Sequence, residues 1–393
     1  MNIEDINNRQ KIAIVVVGYN RLHSIKRLLS SLEKAIYPSK DIPLVISIDN
    51  SGDSDLYKFV ESYNWTNGDK YVIIHTERLG LKQHIFSCGD LTVFFRAIIL
   101  LEDDLYVSPY FYEYVISTLE YYAKDKQAAC IGLYSYTSNI YSALPFVPLQ
   151  TDYDVYGIQA TITWGECWDT RMWREFRNWL NNNIYIEWDS LDIPDTVKNF
   201  KRAWSKFFTA FLYQTKSYVI APYKSYTTNF SEAGEHRNNQ NSSVQVPFVR
   251  RSENLKYGPV EKIVKYDSFF NPVGLESFLQ VPQEELYVDL YSSRPNNRHC
   301  RYVLTTDILP YKCIRSFALM EKPIEANIID NVPGDGIYLY DLSKHTKNGL
   351  TDINTLRSIE YRLQMFRPRL LQKYILHYIY THSINKLKKI IFK

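Results

Sequence analysis

The stretch IILLEDD, residues 98–104, joins four apolar residues to three consecutive carboxylates. Its apolar part lies in the run 97–101, which predicts a buried strand because it is short and continuously apolar. Three like charges at the end of a strand repel one another, so a positive group is needed to offset the cost. A divalent cation that bridges a diphosphate would meet this need, because such ions prefer oxygen ligands. A solvated acidic turn that stabilises the start of the next helix is the simpler alternative.

Strands and helices alternate on both sides of this stretch. Apolar runs predict further strands at 12–17, 44–48, 71–75 and 129–133, with helical patterns between them. This alternation is typical of βαβ units around a parallel sheet. The sequence therefore predicts an α/β protein with a mainly parallel sheet flanked by helices.

Polar residues follow three of these strands directly. They are Asn20, Asp49 and the acidic triplet at 102–104. Ligands of parallel sheets bind beyond the carboxyl ends of the strands, so we expect these residues along one edge. The helix after the second strand is predicted from about Asp53, with Asp53 or Ser54 as its N-cap.

The later part of the chain predicts a different organisation. We predict a nucleotide-binding and catalytic domain at 1–245, a small β-rich α+β module at 246–365, and a basic amphipathic helix at 366–393. The last 27 residues, from Arg367, hold seven Lys or Arg and no acid. Further elements are expected as helices at 169–181 and 200–214 and as strand-like runs at 217–221, 285–291, 300–306 and 324–330.

Composition excludes several classes of protein. Of the 393 residues, 45% are hydrophobic and 23% are charged, which is ordinary for a folded domain and unlike a disordered chain. A net charge of +3 gives no indication of a nucleic-acid partner. Five cysteines without a CxxC pair do not suggest a disulfide framework or a zinc site, which fits a reducing cytoplasm. The apolar run at 12–17 is too short for a signal peptide, and no stretch is long enough for a membrane span.

Four segments, taken in order, resemble a known family. The acidic triplet resembles the EDD form of the DXD signature of GT-A glycosyltransferases, close to the N-acetylglucosaminyltransferase I-type enzymes. VVVGYNR, 15–21, looks like their opening strand, and IDNSG, 48–52, like the segment after their second strand. LGLK, 79–82, resembles the segment that approaches the base and phosphates. The resemblance covers about residues 10–240 and implies a GT-A type, Rossmann-like fold.

The resemblance also implies roles for individual residues. Asp104 would bind Mn²⁺ or Mg²⁺, and Asp103 would hold the ribose or a metal-bound water. The residues implied in nucleotide-sugar binding are Gly18, Tyr19, Asn20, Arg21, Asp49, Lys82 and Asp103. Two of these residues, Arg21 and Lys82, could also balance the charge of the diphosphate. Arg237, which is not among them, could do the same. Tyr19 could stack on the base or pack against the sheet.

Two later segments also resemble bacterial members of this group. They are TWGECW at 163–168 and TTNFSEAGEH at 227–236. His236, in the second segment, is a further candidate for metal binding, because neutral imidazole is a common ligand.

One position departs from the family pattern. The related enzymes place a catalytic aspartate directly after a tryptophan, whereas here Ser205 follows Trp204. Serine cannot take a proton at neutral pH without a neighbouring base. We therefore predict Glu232 as the first candidate base and Glu166 as the second, with a turn-capping role as the alternative for Glu232.

The function implied is the transfer of a sugar from a nucleotide-diphosphate sugar to a glycan or lipid-linked oligosaccharide in bacterial surface polysaccharide synthesis. The resemblance implies inversion at the anomeric carbon. The basic C-terminal helix would contact an anionic membrane from the cytoplasmic side or, alternatively, pack on the protein core. A sugar-phosphate nucleotidyltransferase is a rival, although only Gly18 follows the first strand where that class has a glycine-rich loop. A non-catalytic glycan-binding or scaffold protein is the other rival.

Overall fold

The computed structural model describes residues 8–201, 203–232, 243–295 and 300–346, with isolated positions at 361, 372–373, 375–377 and 379–380. These residues fall into two compact units, which we describe separately. The first lies within residues 1–277 and 291–298, and the second within 278–290 and 299–393.

The first unit contains most of the helices and strands. In chain order they are β1 (Asn8–Gly18), α1 (Leu22–Glu33), β2 (Leu44–Ile48), α2 (Ser54–Ser62), β3 (Lys70–Ile74), α3 (Gly80–Gly89), β4 (Phe95–Glu102), β5 (Leu105–Val107), α4 (Phe111–Tyr122), β6 (Ala128–Gly132), β7 (Val155–Ile158), β8 (Glu166–Asp169), α5 (Thr170–Asn182), α6 (Asp195–Lys198), α7 (Ser205–Thr215), β9 (Tyr218–Pro222), β10 (Thr227–Asn229) and β11 (Lys265–Tyr266). Short 3₁₀ helices lie at Asp90–Val93 and Trp188–Ser190.

A nine-stranded sheet forms the centre of this unit. Its order is β11-β7-β9-β6-β8-β4-β1-β2-β3. Neighbours pair in parallel from β4 through β1 and β2 to β3, and also between β6 and β9 and between β7 and β11. Strand β8 runs antiparallel to both of its neighbours, and β7 runs antiparallel to β9. The predicted fold class, a mainly parallel sheet flanked by helices, is confirmed.

The buried centre of the sheet explains the apolar runs in the sequence. Residues Ile12–Val17 of β1 are all buried between β4 and β2. A parallel strand covered on both faces needs apolar side chains at every position rather than at alternate positions. The same burial holds for Leu44–Ile48 of β2 and for 97–101 of β4.

The ends of these strands place the polar residues side by side. β1 ends at Gly18 and β4 at Glu102, and these two residues are nearly opposite in the pairing of the two strands. The backbone N–H of Asp49, just beyond β2, donates to the carbonyl of Gly18 at 3.0 Å. The small antiparallel pair β5–β10 then sets Asn229 opposite Leu105, directly after the acidic triplet.

The first unit continues beyond residue 245, where we predicted its end. The first unit extends further because β11 pairs with β7 at the edge of the main sheet. The functional division at 245 stays a prediction. Helix α7 begins at Ser205, later than the predicted 200.

The remaining elements are α8 (Glu276–Leu279), a 3₁₀ helix (Gln283–Glu285), β12 (Leu286–Asp289), β13 (Tyr302–Thr305), β14 (Tyr311–Ala318), α9 (Ala326–Ile329) and β15 (Gly336–His345). The second unit holds a four-stranded sheet in the order β12-β13-β15-β14. Two of the predicted strand-like runs, 285–291 and 300–306, contain the strands β12 and β13. The prediction of a strand at 324–330 is wrong, because this segment contains the short helix α9. The buried side chain of Asn327 bonds to the backbone of Met320, Glu321 and Ile324. These local bonds hold a tight turn in place of an extended strand.

Most of the predicted C-terminal helix, 366–393, lies outside the described residues. The seven described positions between 372 and 380 are helical and exposed. None of the helices in the described part of the chain has the length and apolar character needed to cross a membrane.

Candidate functional site

A cavity of about 250 Å³ opens at the carboxyl ends of β1, β2 and β4. Its walls come from the strand ends, from α3 and from the segment after β10. The lining residues are Val17, Gly18, Tyr19, Asn20, Arg21, Asp49, Leu81, His84, Glu102, Asp103, Asp104, Trp164, Asn229, Ser231 and Glu232. The structure thus brings together eight of the residues singled out in the sequence, namely Gly18, Tyr19, Asn20, Arg21, Asp49, Asp103, Asp104 and Glu232.

The two aspartates of the acidic triplet are paired with an arginine. Arg21 Nη1 lies 3.0 Å from Asp104 Oδ2, and Arg21 Nε lies 3.3 Å from Asp103 Oδ2. Arg21 Nη2 also donates to Asp103 Oδ1. The other oxygen of Asp104 accepts from Asn229 Nδ2 at 3.0 Å. The positive group that the sequence required is therefore supplied, in this structure, by the chain itself.

Burial and charge shift the acidity of these groups. Burial, and the neighbouring Asp104, raise the pKa of Asp103 to about 6, although Arg21 lowers it. Burial together with Asp104 and Asp103 raises the pKa of Glu102 to about 8. Burial lowers the pKa of Arg21, but the two aspartates outweigh it and the pKa lies above its ordinary value. The cavity therefore holds three neighbouring carboxyl groups beside one arginine, and Glu102 and Asp103 take up protons more readily than usual.

The carboxylate of Asp49, which follows β2, is held by backbone N–H groups at the start of α3. Its two carboxylate oxygens accept from the backbone N–H groups of Leu79 at 2.8 Å and Gly80 at 2.9 Å. Gly80 has a φ of +74°, a conformation that glycine adopts without the strain of a side chain. Burial raises the pKa of Asp49, but these hydrogen bonds and one from Asn50 outweigh it and hold the pKa below its ordinary value. Asp49 is therefore a carboxylate held in one orientation at the cavity wall.

A histidine pair behind Asp49 was missed by sequence reasoning. His84 on α3 lines the cavity, and its Nε2 lies 2.7 Å from Ser47 Oγ. The ring of His75 meets it edge to face at 5.1 Å and also contacts Ser47. Burial and His75 lower the pKa of His84 to about 4, against a smaller effect of Asp49. A single histidine in a helical pattern gives no sequence signal for this position, because the contact depends on the sheet register.

Glu232 is held by two residues of α1. Arg27 donates to both of its oxygens, at 2.6 and 2.9 Å, and Ser24 Oγ donates to one of them. The guanidinium of Arg27 also lies 4.0 Å from the ring centroid of Phe230. The hydrogen bond from Arg27 is the main reason why the pKa of Glu232 falls to about 2. Glu232 therefore lies at the cavity as a firmly ionised carboxylate.

Glu166 has a different environment. It lies in β8 between β4 and β6 and is 1% exposed, and it is not among the residues that line the cavity. One oxygen accepts from the N–H of Ile162 at 3.1 Å, while the other has no hydrogen-bond partner in the described part of the chain. Burial, reinforced by Glu102, raises its pKa well above the ordinary value. Burial in the sheet therefore disfavours the ionised form of this side chain.

The remaining predicted residues lie around the cavity or outside the described region. Lys82 does not line the cavity, and its Nζ lies 5.0 Å from the ring centroid of Phe207. The ring of Tyr19 lines the cavity and is covered on one side by the guanidinium of Arg78, at 5.0 Å. His236 falls in the segment 233–242, outside the described residues. Trp164, from the quoted segment 163–168, forms part of the wall.

No protein-family model matches the chain, and no curated protein matches its sequence. Among solved structures, the chain is similar to S. aureus TarS 1–349 in complex with UDP-GlcNAc, with 17% identity and a TM-score of 0.40, covering 58% of this chain and 60% of that one. It is also similar to the mannosyltransferase PcManGT from Pyrobaculum calidifontis in complex with GDP-Man and Mn²⁺, with 11% identity, a TM-score of 0.35 and coverage of 58% and 59%. GalNAc-T7 with UDP, GalNAc and Mn²⁺ is a third, with 14% identity, a TM-score of 0.38 and coverage of 56% and 43%.

The chain therefore spans less than two thirds of each of these three structures. The likeness to these structures is therefore partial.

Proposed function

We propose that this protein is a glycosyltransferase that moves a sugar from a nucleotide-diphosphate sugar to a glycan acceptor. The observation that carries the proposal is the cavity at the carboxyl edge of the sheet, where Asp49, Arg21 and the buried pair Asp103 and Asp104 meet. Ligands of parallel sheets bind at this edge. The carboxylates of the cavity can accept hydrogen bonds from the ribose hydroxyls of a nucleotide. Its arginine can donate hydrogen bonds to the phosphates.

The carboxylates suit a divalent cation. Mn²⁺ and Mg²⁺ prefer oxygen ligands, and the oxygens of Asp103 and Asp104 at this edge already hold a cationic group, the guanidinium of Arg21. Asp104 is the residue we propose to hold the ion, and Asp103 would contact the ribose. A bound ion would neutralise the diphosphate as the bond to the sugar breaks.

The chain's own residues have separate tasks in this proposal. The residues Gly18, Tyr19 and Asn20 would line the nucleoside, with Asp49 oriented towards it by the start of α3. Arg21 would bind the diphosphate. The hydroxyl of the acceptor would attack the anomeric carbon, the bond from that carbon to the phosphate oxygen would break, and the nucleoside diphosphate would leave with inversion.

Glu232 is the base we favour for the proton of the acceptor hydroxyl. It faces the cavity as a carboxylate, whereas Glu166 is buried in the sheet, does not line the cavity and has a raised pKa. A carboxylate with a pKa near 2 is a weak base, so the proposal requires that acceptor binding loosen its hydrogen bonds to Arg27.

The decisive assay uses purified protein with a panel of UDP- and GDP-sugars and Mn²⁺. We expect slow release of nucleoside diphosphate, reduced about 100-fold or more in Asp104→Asn, in line with the size of a lost electrostatic contact in a transition state. Asp189→Asn, which changes an exposed aspartate on a 3₁₀ helix, is the matched control and should keep its rate. Pyrophosphate-dependent exchange would instead identify a nucleotidyltransferase. Glycan binding without either activity would identify a scaffold protein.

We also propose that the acceptor belongs to a surface polysaccharide and is lipid-linked, with the enzyme on the cytoplasmic face of the membrane. The support is the basic segment from Arg367, with seven Lys or Arg and no acid. Basic residues of this kind are attracted to anionic lipid. Co-sedimentation with vesicles tests this, because binding to anionic vesicles should weaken as salt rises. Equal binding to neutral vesicles would contradict it.

A further inference from the structure

Arg21 occupies the position in the cavity where a cation would bind. Its guanidinium bridges Asp103 and Asp104 through three hydrogen bonds, two of them at 3.0 and 3.3 Å. The remaining oxygen of Asp104 is taken by Asn229. All four oxygens of the two aspartates are therefore already bonded, three of them to the guanidinium of Arg21 and one to the amide of Asn229.

The pairing has a clear physical reason. Asp103 is 3% exposed and Asp104 is 8% exposed, and two adjacent buried carboxylates without a counter-ion are costly. The guanidinium offsets this cost when the cavity holds no donor. Because it uses the same oxygens, Arg21 and a divalent ion compete for the pair.

Two carboxylates do not complete the coordination of a divalent ion. Mg²⁺ is bound by about six oxygens and Ca²⁺ by more, so further ligands must come from outside the pair. In the described part of the chain, no group of three His, Cys, Asp or Glu side chains is arranged to hold a metal. The phosphate oxygens of a nucleoside diphosphate and water can supply the missing ligands.

The same diphosphate offers Arg21 a new partner. A guanidinium binds phosphate in a bidentate manner. Arg21 lies between β1 and α1, and its side chain is 24% exposed at the cavity. The side chain is therefore accessible to a phosphate bound in the cavity.

We infer that Arg21 is an exchangeable counter-ion, which makes a divalent cation and a nucleoside diphosphate bind cooperatively. Without nucleotide, Arg21 excludes the metal from Asp103 and Asp104. With nucleotide, the phosphates take Arg21 and also complete the coordination of the ion. This inference rests on the proposed function, because it specifies how the donor site is filled.

The test measures Mn²⁺ binding to the full chain from the electron paramagnetic resonance signal of free Mn²⁺, with and without UDP or GDP. In the wild type, the nucleotide should raise the affinity for Mn²⁺ by about tenfold or more, within the range typical of coupled sites. Arg21→Gln should bind Mn²⁺ alone about tenfold more tightly than the wild type and lose most of the effect of the nucleotide. Arg177→Gln, which changes an arginine paired with Asp90 away from the cavity, should behave like the wild type.

Thermal unfolding provides a second measurement in case the variant is unstable. Arg21→Gln should melt at a lower temperature in EDTA and recover in Mn²⁺, since the ion then replaces the lost charge. A lowered midpoint that Mn²⁺ does not restore, or an unchanged affinity for Mn²⁺, would overturn the inference. Tighter Mn²⁺ binding by Arg21→Gln in a protein that turns over no nucleotide sugar would support the inference and refute the transferase proposal.

Discussion

At the scale of the residue, the site depends on how each charge is balanced. Arg21 balances the buried aspartates, Arg27 balances Glu232, and backbone N–H groups balance Asp49. Glu166 accepts one hydrogen bond, from the N–H of Ile162, and burial raises its pKa. The two candidate bases therefore lie in opposite electrostatic environments, and they should differ in function.

This difference gives a direct prediction for the base. Glu232→Gln should lower kcat by about 100-fold or more, the size expected for loss of a general base. Glu166→Gln should leave kcat nearly unchanged, because Glu166 is not among the residues that line the cavity. Steady-state rates of nucleoside diphosphate release with acceptor present would check both.

A pH profile separates a base from a merely structural Glu232. Arg27→Gln removes the main cause of its low pKa, so the acid limb of the rate profile should move upwards, towards the ordinary value of 4.5. An acid limb that does not move, together with normal turnover by Glu232→Gln, would remove Glu232 from the chemistry.

His84 should make stability depend on pH. Its folded pKa, about 4, lies below the ordinary 6.5, so the unfolded chain binds more protons between these values. The stabilisation is complete above pH 6.5 and is lost as the pH falls towards 4, by up to about 3 kcal/mol for a shift of this size. Denaturant unfolding between pH 7.5 and 4.5 should show a steeper loss in the wild type than in His84→Gln. Parallel curves for the two proteins would show that His84 is not responsible.

At the scale of the element, strand ends and helix starts place the polar groups. Three strands could be predicted from continuous apolar residues, because a parallel strand buried on both faces needs such a run. They lie at 12–17, at 44–48 and at 97–101, directly before the acidic triplet. The N-cap of α2 could be predicted as well, and Asp53 accepts from the N–H groups of Asp55 and Leu56, both at 3.1 Å. These features depend on local sequence.

Asp53→Ala tests the local part of the account. Loss of this N-cap should cost about 1 kcal/mol of unfolding free energy, the usual value for such a residue. Donor turnover should be unaffected, because Asp53 is not among the residues that line the cavity. Ser54→Ala is the control and should change stability much less. Equal losses in the two variants would show that Asp53 does not cap the helix.

Other elements could not be predicted, because they depend on contacts distant in sequence. The antiparallel insertion of β8 between β4 and β6 buries Glu166, the second candidate base, in the sheet. The β5–β10 pair, which brings Asn229 to Asp104, joins segments more than a hundred residues apart. The pairing of Arg21 with the acidic residues was missed for the same reason.

At the scale of the whole molecule, we propose that one cavity at the carboxyl edge of the sheet binds the nucleotide-sugar donor. Asp49 follows β2, the acidic residues follow β4 and Arg21 follows β1, so the order of the sheet brings them together. All the residues that line the cavity belong to the first unit.

A crystal structure of the protein with a nucleoside diphosphate and Mn²⁺, recorded at an energy where manganese scatters anomalously, tests this claim most directly. We predict an anomalous peak bonded to a carboxylate oxygen of Asp104, with the phosphates beside it and the nucleoside near Asp49. Nucleotide bound at another place, or Asp103 and Asp104 still paired with Arg21 and no metal peak beside them, would contradict the account.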